Sequence, residues 1–358
     1  DDIDIATILT TDQIKEKFKD TNLKVIDTGV KHGTVTIVSK NHKVELTTLR
    51  KDIKTDGRHA EVEYTDSWQQ DSERRDFTIN AIYMDINGKL YDPQMGTVDL
   101  KNKNIKFIGD PQKRIEEDYL RIVRFIRFKV MYDIVVEPTT SDAIKQNLDG
   151  IQKISKERIL IELLKILSLK NFLTINQSSN LREIFSMIFP EFLYLNRLER
   201  LKKVYQYSKV NVDILLAVML IDDKENHEYF IHKYNASNKT KETLEQFYKN
   251  LIKLKNDKEF LEKNLIKNIY LNGKNHLIAL NLINFSINSK VKINDFTKTL
   301  NKILKIKVPM FPINGETLKK KGMQEGQRLG KVLKTLEKEW INNNFKISNE
   351  RVEEIIRF

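Results

Sequence analysis

Asp1-Asp2-Ile3-Asp4-Ile5-Ala6-Thr7 is the stretch on which the reading of the whole chain turns. In an extended strand, side chains alternate between faces, so Asp2 and Asp4 project from one side while Ile3 and Ile5 project from the other. Two carboxylates side by side repel unless a cation neutralises them. Hard oxygen ligands a few ångströms apart suit Mg²⁺, particularly when a substrate phosphate completes the shell. Taken alone, an Asp-x-Asp also describes an exposed acidic turn, so the choice depends on the residues downstream.

Next comes Thr10-Thr11-Asp12-Gln13, a capping-box pattern, with Ile14 and Phe18 four residues apart on one face of a short helix. Three extended runs are expected after it, Leu23 to Thr28, Gly33 to Val38 and Lys43 to Leu49, the last two joined as a hairpin by the turn at Lys40-Asn41. On the third run Glu45 and Thr47 share a face opposite Val44, Leu46 and Thr48. Glu45 therefore belongs either beside Asp2 and Asp4 or on the solvated face of an edge strand.

Arg50 to Arg58, with Asp52 and Asp56 between, shows neither helical nor strand periodicity and reads as a mobile charged loop. Glu61 to Tyr64 resumes extended structure, and the apolar run from Thr78 to Asp85 suits a buried strand or helix. Asn87-Gly88 and Asp92-Pro93 mark turns, and Asp110-Pro111 starts a helix with Asp110 as N-cap. From Ile154 onward the strand signals fade, and stripes such as Leu329, Val332, Leu333, Leu336 and Trp340 predict helices to the end.

At 358 residues the chain is long for one core. No uninterrupted apolar run is long enough to span a bilayer, so no membrane role is expected. The absence of cysteine excludes disulfides and thiolate metal sites and fits a reducing cytoplasm. A net charge of +12 points to a polyanionic partner, because clustered Lys and Arg release counterions from nucleic acid. No protein partner is implied.

Two further clusters carry chemistry. In Glu73-Arg74-Arg75-Asp76-Phe77-Thr78-Ile79-Asn80-Ala81, paired arginines beside an acid and an amide suit a triphosphate and a ribose, since guanidinium donates in a fork and carboxylate accepts from hydroxyls. A surface ion-pair turn is the plainer alternative. In Glu117-Asp118-Tyr119-Leu120-Arg121-Ile122-Val123-Arg124-Phe125-Ile126-Arg127, a helix puts Asp118, Arg121, Arg124 and Arg127 in one slowly turning stripe. Ordinary i, i+3 pairing accounts for Asp118 with Arg121, and less well for three successive arginines. A base edge accounts for them better: Asp118 accepts from the amino group of cytosine or adenine, and Arg121 donates to the neighbouring ring acceptors.

Together, the acidic strand, His32-Gly33-Thr34-Val35, the Arg-Arg-Asp-Phe-Thr-Ile-Asn-Ala run, Asp92-Pro93 and Glu117-Asp118-Tyr119-Leu120-Arg121 resemble, in order and spacing, the class II tRNA nucleotidyltransferases. These are the CCA-adding enzymes, which share their head domain with bacterial poly(A) polymerases. The resemblance is specific over residues 1 to about 170 and weaker in the tail, where Phe311 to Gly315 and Gly326 to Leu333 look like the family's C-terminal pattern. It implies that Asp2 and Asp4 bind two catalytic Mg²⁺ ions, with Glu45 as a third carboxylate. Arg75 and Asp76 would contact triphosphate or ribose, with Asn80 in support. Asp118 and Arg121 would read the incoming base, while Arg124 and Arg127 would hold phosphate or orient the base. The family's glycine-rich triphosphate cradle precedes its acidic strand and is expected upstream of Asp1.

Within the family, Ile154 to Glu162 looks like the CCA-adding form and unlike the neck helix of poly(A) polymerases. The charged loop, with Arg50, Asp52, Asp56 and Arg58, favours full addition over CC-only enzymes. The fold implied is α+β: a nucleotidyltransferase head with a small mixed sheet (1–135), then helical neck (136–170), body (171–265) and tRNA-binding tail (266–358). The activity implied is addition of C, C and A to tRNA from CTP and ATP. A-adding, CC-adding or poly(A)-adding relatives are the neighbouring alternatives, and a non-catalytic basic RNA-binding protein is the alternative from another class.

Overall fold

The computed structural model describes residues 3–40, 42–56, 59–132, 136–257 and 259–357. Asp2, Arg58 and the hairpin position Asn41 lie outside the described residues. The chain divides into two compact units, residues 1–193 with 228–236, and residues 194–227 with 237–358.

The first unit begins with β1 (Ile3–Thr7), α1 (Thr11–Phe18), β2 (Lys24–Gly29), β3 (Thr34–Val38) and β4 (Lys43–Thr48). The strands form one sheet in the order β1-β4-β3-β2, with β1 parallel to β4 and the other pairs antiparallel. The alternation seen in the sequence becomes a two-faced sheet. Val25, Val35, Ile37 and Leu46 pack against Ile14 and Phe18 of α1, whose N-terminus carries the expected box between Thr10 and Gln13. The opposite face carries Asp4, Glu45 and a run of threonines, and is left open for chemistry. Gly33 enters β3 with φ 72°, and a Cβ there would lie 2.8 Å from the Tyr64 ring, so glycine is required on both counts.

The expected loop from Arg50 is instead a strand. β5 (Arg50–Asp56) pairs antiparallel with β6 (His59–Tyr64), with a register shift between Asp52 and Lys54. The sequence from Arg50 to Asp56 is polar apart from Ile53, so it lacks the alternation that reports burial. What holds it extended is the backbone ladder and the cross-strand pair Lys51–Glu63 at 3.0 Å. Thr78 to Asp85 also departs from expectation: it forms a 3-10 turn (Thr78–Asn80) and then β7 (Tyr83–Met84), paired with β8 (Leu90–Tyr91), and Met84 is exposed.

α2 (Trp68–Glu73) and α3 (Gly96–Lys101) flank this turn, followed by α4 (Pro111–Glu117), α5 (Leu120–Tyr132), α6 (Pro138–Gln146), α7 (Lys156–Leu167) and α8 (Ser179–Ile188). Phe77, Phe107, Phe125 and Phe128 form an aromatic knot, with centroids 4.8 Å apart for Phe77–Phe107 and 5.5 Å for Phe77–Phe128. It pins the segment after Arg74-Arg75 to α5. Backbone bonds from the Thr78 amide to the Lys106 carbonyl and from the Ile108 amide to the Asp76 carbonyl join the same segment to that of Phe107.

The rest is helical, as expected: α9 (Leu198–Lys202), α10 (Val212–Leu220), α11 (Asn226–Tyr234), α12 (Asn238–Asn256), α13 (Leu265–Asn272), α14 (Lys274–Ile287), α15 (Ile293–Lys305), α16 (Gly315–Lys320), α17 (Gln327–Asn342) and α18 (Asn349–Arg357). In the second unit α10 and α14 are largely buried, and the α17 stripe packs through Val332 and Leu336 onto Leu318 and Val352. Among the described residues no helix is long and apolar enough to cross a membrane.

Candidate active site

The site grows from the polar face of the sheet. Asp4 and Glu45 are register partners on the parallel strands β1 and β4, so their side chains leave the same face; Thr36 of β3 is paired with Glu45 and continues the row. Around the acids the face is held by hydroxyl pairs, Thr28–Thr36 at 2.8 Å and Thr34–Thr47 at 3.0 Å. Asp4 and Glu45 are exposed, and among the described residues no cation or hydrogen-bond donor engages either. Two adjacent carboxylates without a counter-charge fit a hard divalent cation whose shell a phosphate completes. The described residues contain no group of three or more acids or histidines that could hold a metal by themselves.

Next to the sheet, Arg75 and Asp76 are held by different partners. Arg75 meets Asp71 of α2 through Nη2 (3.2 Å), donates through Nη1 to the Asn80 carbonyl (3.2 Å), and lies 5.1 Å over the Tyr83 ring. Asp76 is nearly buried. Its Oδ1 accepts from the Phe77 amide and from Asn80 Nδ2 (2.8 Å), and its Oδ2 accepts from Arg124 Nε at 2.6 Å. Burial opposes ionisation of Asp76, but the Arg124 guanidinium and these hydrogen bonds outweigh it and hold the carboxyl below its usual range. Asn80 thus supports both neighbours, by side chain to Asp76 and by carbonyl to Arg75.

The third cluster corrects the expected stripe. Asp118 is not on a helix: with φ −154° and ψ 103° it breaks the chain between α4 and α5. Its Oδ1 caps α5 by accepting from the Leu120 amide, and its Oδ2 accepts from Arg158 Nη2 of α7 at 2.7 Å. The i, i+3 pair with Arg121 is therefore not made. Arg121 Nη1 instead reaches Glu117 at 2.6 Å and the Arg114 carbonyl at 2.6 Å. Arg124 goes to Asp76 and Arg127 to Glu162 at 2.8 Å. The three arginines tolerate one another because each has its own acid, two of them supplied from distant sequence.

Several residues of this framework escaped the sequence reading: Asp71, Tyr83, Arg158 and Glu162. Of these only Asp71 is marked by spacing, four residues before the Arg75 it pairs with. Tyr83, Arg158 and Glu162 meet Asp71, Asp118 and Arg127 across longer stretches of sequence, and no local signal marks them. Of the charged segment, Arg50 is half-buried and its guanidinium donates to the His32 carbonyl, while its amide donates to Asp71 at 3.2 Å. Asp52 follows on β5. Asp56 ends that strand, and Arg58 is outside the described residues.

The family model described as "Poly A polymerase head domain" matches residues 1–106, and that described as "Probable RNA and SrmB- binding site of polymerase A" matches residues 133–194. CCA tRNA nucleotidyltransferase 1, mitochondrial, of Danio rerio is 31% identical over 368 residues, covering 98% of this chain and 82% of its own. The CCA-adding enzyme of Ligilactobacillus salivarius is 31% identical over 359 residues, covering 96% and 84%. Among solved structures, the Bacillus stearothermophilus CCA-adding enzyme in complex with CTP has the same fold at a TM-score of 0.73 and 22% identity, over 100% of this chain and 88% of that one.

Proposed function

The chain belongs to the CCA-adding tRNA nucleotidyltransferases, and from that premise we propose that the polar face of its four-stranded sheet and the arginine–carboxylate framework beside it form the transferase centre. The enzyme adds C, C and A to the 3′ end of tRNA from CTP and ATP, without a nucleic-acid template, and releases pyrophosphate. The bond formed joins the RNA 3′-hydroxyl oxygen to the α-phosphorus of the nucleotide, and the bond broken is that between the α- and β-phosphates.

Asp4, with Asp2 two residues before it in sequence, would hold Mg²⁺, and Glu45 is the neighbouring third carboxylate. Bound there, Mg²⁺ supplies activation of the attacking hydroxyl and neutralisation of the leaving pyrophosphate. The protein's own groups position the substrates. Arg75 has N–H donors left beyond those given to Asp71 and Asn80, and these suit the triphosphate oxygens. Asp76 has accepted three hydrogen bonds of the roughly four a carboxylate takes, so one site remains for a ribose hydroxyl. Asp118 has accepted two and keeps capacity for the amino group of cytosine or adenine, while Arg121 Nε and Nη2 remain as donors to the ring. Arg124 and Arg127 act through Asp76 and Glu162 and keep α5 in place.

The β5–β6 hairpin is the segment we assign to the change from CTP to ATP, and the helical remainder, with its finer division into neck, body and tail, to holding tRNA by backbone and shape. The observation that carries the reading is the pair Asp4 and Glu45, in register and without counter-charge among the described residues. The test is incubation with labelled CTP and ATP, separately and together, on tRNA lacking CCA, tRNA ending in CC, and unrelated RNA. Three added nucleotides on tRNA lacking CCA and one adenosine on tRNA ending in CC, with none on unrelated RNA, support it. Addition that stops at CC, addition of adenosine to tRNA ending in CC only, long tails on any RNA, or binding without incorporation would each replace it.

A further inference from the structure

Asp71 is 1% exposed, yet its carboxylate is the meeting point of four segments. Oδ1 accepts from the Arg50 amide at 3.2 Å and from Arg74 Nε at 2.8 Å. Oδ2 accepts from Arg75 Nη2 at 3.2 Å and from the Tyr83 hydroxyl at 2.7 Å. Burial opposes its ionisation, but Arg74, the Tyr83 hydroxyl and Arg75 outweigh that and keep the carboxyl below its usual range. Tyr83 is itself wedged between the edge of Trp68, at 5.0 Å, and the Arg75 guanidinium.

This arrangement does more than bury a charge. Arg75 is about one-third exposed, and Asp71 takes it by the Nε/Nη2 side while the Asn80 carbonyl takes Nη1. Three of the five N–H donors of a guanidinium are then used on the protein and two are left, in a plane fixed by Asp71 and the Tyr83 ring. The same carboxylate holds the amide of Arg50, the first residue of β5. A single buried group therefore joins the arginine to the root of the hairpin.

We propose that Asp71 is a positioning residue for nucleotide binding, which aims the free donors of Arg75 at the triphosphate and ties that arginine to the β5–β6 hairpin. The inference rests on the reading of Arg75 as a triphosphate contact. It assigns to Asp71 no contact with substrate.

The test compares Asp71→Asn, Arg75→Ala and the double variant in full-length enzyme, with melting temperature and tRNA affinity measured alongside. Asp71→Asn is expected to raise KM for CTP and ATP about tenfold or more, as for loss of a hydrogen bond between charged groups, with a much smaller change in kcat. In the Arg75→Ala background it should cost no further KM, because the group it aims is gone. A purely structural Asp71 would lower the melting temperature and the active fraction, leave KM unchanged and add to Arg75→Ala, and that result overturns the proposal. Where Asp71→Asn does not fold, Tyr83→Phe removes one donor from the same carboxylate. A KM increase that vanishes in the Arg75→Ala background supports the proposal, and a silent or additive effect overturns it. The link to the hairpin is read without turnover. CTP binding should slow hydrogen exchange of the Arg50 amide in the wild type and not in Arg75→Ala, and equal slowing in both refutes the link. Arg75→Ala with unchanged KM would overturn the role of Arg75 itself, whereas an impaired Arg75→Ala with a silent Asp71→Asn overturns the role of Asp71 alone.

Discussion

Asp4 and Glu45 stand exposed on an open sheet face with no counter-charge among the described residues, whereas Asp71, Asp76, Asp118 and Glu162, a short way along the same unit, each hold an arginine. The difference separates two uses of a carboxylate. A paired acid has spent its charge on fixing a cation of the protein and so acts through geometry. An acid left without a partner keeps its field for something brought from outside, which in the function proposed above is a metal and the phosphates it carries.

Asp4→Ala puts the largest strain on that contrast. Removal of the proposed metal ligand should depress nucleotide incorporation by about a thousandfold or more, while the melting temperature stays within about 1 °C, since an exposed and unpaired group contributes little to folding. Turnover that persisted would sink the metal assignment. A marked loss of stability would show that Asp4 has a structural partner after all.

Asp76→Ala is the converse case. It strips Arg124 and Asn80 of their acceptor in a nearly buried site, and unfolding by denaturant should show a loss of about 3 kcal/mol, the lower end for breaking a buried pair because Arg124 is partly exposed. A stability change below about 0.5 kcal/mol would place Asp76 with the unpaired acids instead.

Asp118 lies between the two sets, being paired to Arg158 yet retaining acceptor capacity. Asp118→Ala should reduce discrimination against UTP and GTP by about tenfold, the scale of one mismatched base contact. A competition assay with mixed nucleotides reads this directly, and unchanged selectivity would end the base-reading role.

Acid titration gives the smallest and most graded test. Asp71 and Asp76 have folded pKa values held below the unfolded ones, so their stabilisation is complete above the ordinary carboxylate pKa of about 4 and is lost as pH falls through the lowered values. Asp4→Ala should leave that profile in place and Asp76→Asn should flatten it. The second unit should respond earlier. Burial pushes His276 down to about 4, and its Nε2 accepts from Asn250 at 2.9 Å. Between pH 6.5 and about 4 the unfolded chain therefore binds a proton that the native state does not, and stability falls with pH across that window. Residue-resolved hydrogen exchange over a pH series separates the two phases, and His276→Gln should remove the earlier one.

Much of this was legible in order along the chain. The capping box at Thr10, the alternation through Thr34 to Val38, the N-cap at Asp110 and the helical stripes of the second half are local signals, and each became the element it announced. The Arg50 segment failed as a loop because strand periodicity reports a buried face, and a sequence that is polar from Arg50 to Asp56 apart from Ile53 carries no such alternation. The Asp118 helix failed because residues favourable to a helix on either side concealed a break that is stabilised by Arg158, 40 positions away.

The sequence by itself determined which residues carry charge and which strand faces they occupy, because alternation and helical spacing are properties of the backbone and need no fold. It determined the family as well, through motifs whose order survives in the chain. Only the tertiary structure decided which charges cancel. Arg121, Arg124 and Arg127 are equivalent as a run, yet one meets Glu117 within its own neighbourhood, one meets Asp76 and one meets Glu162. Ion pairing depends on separation in space to within a few ångströms, and that distance is set by how α5, α7 and the segment after α2 pack, which no local pattern encodes.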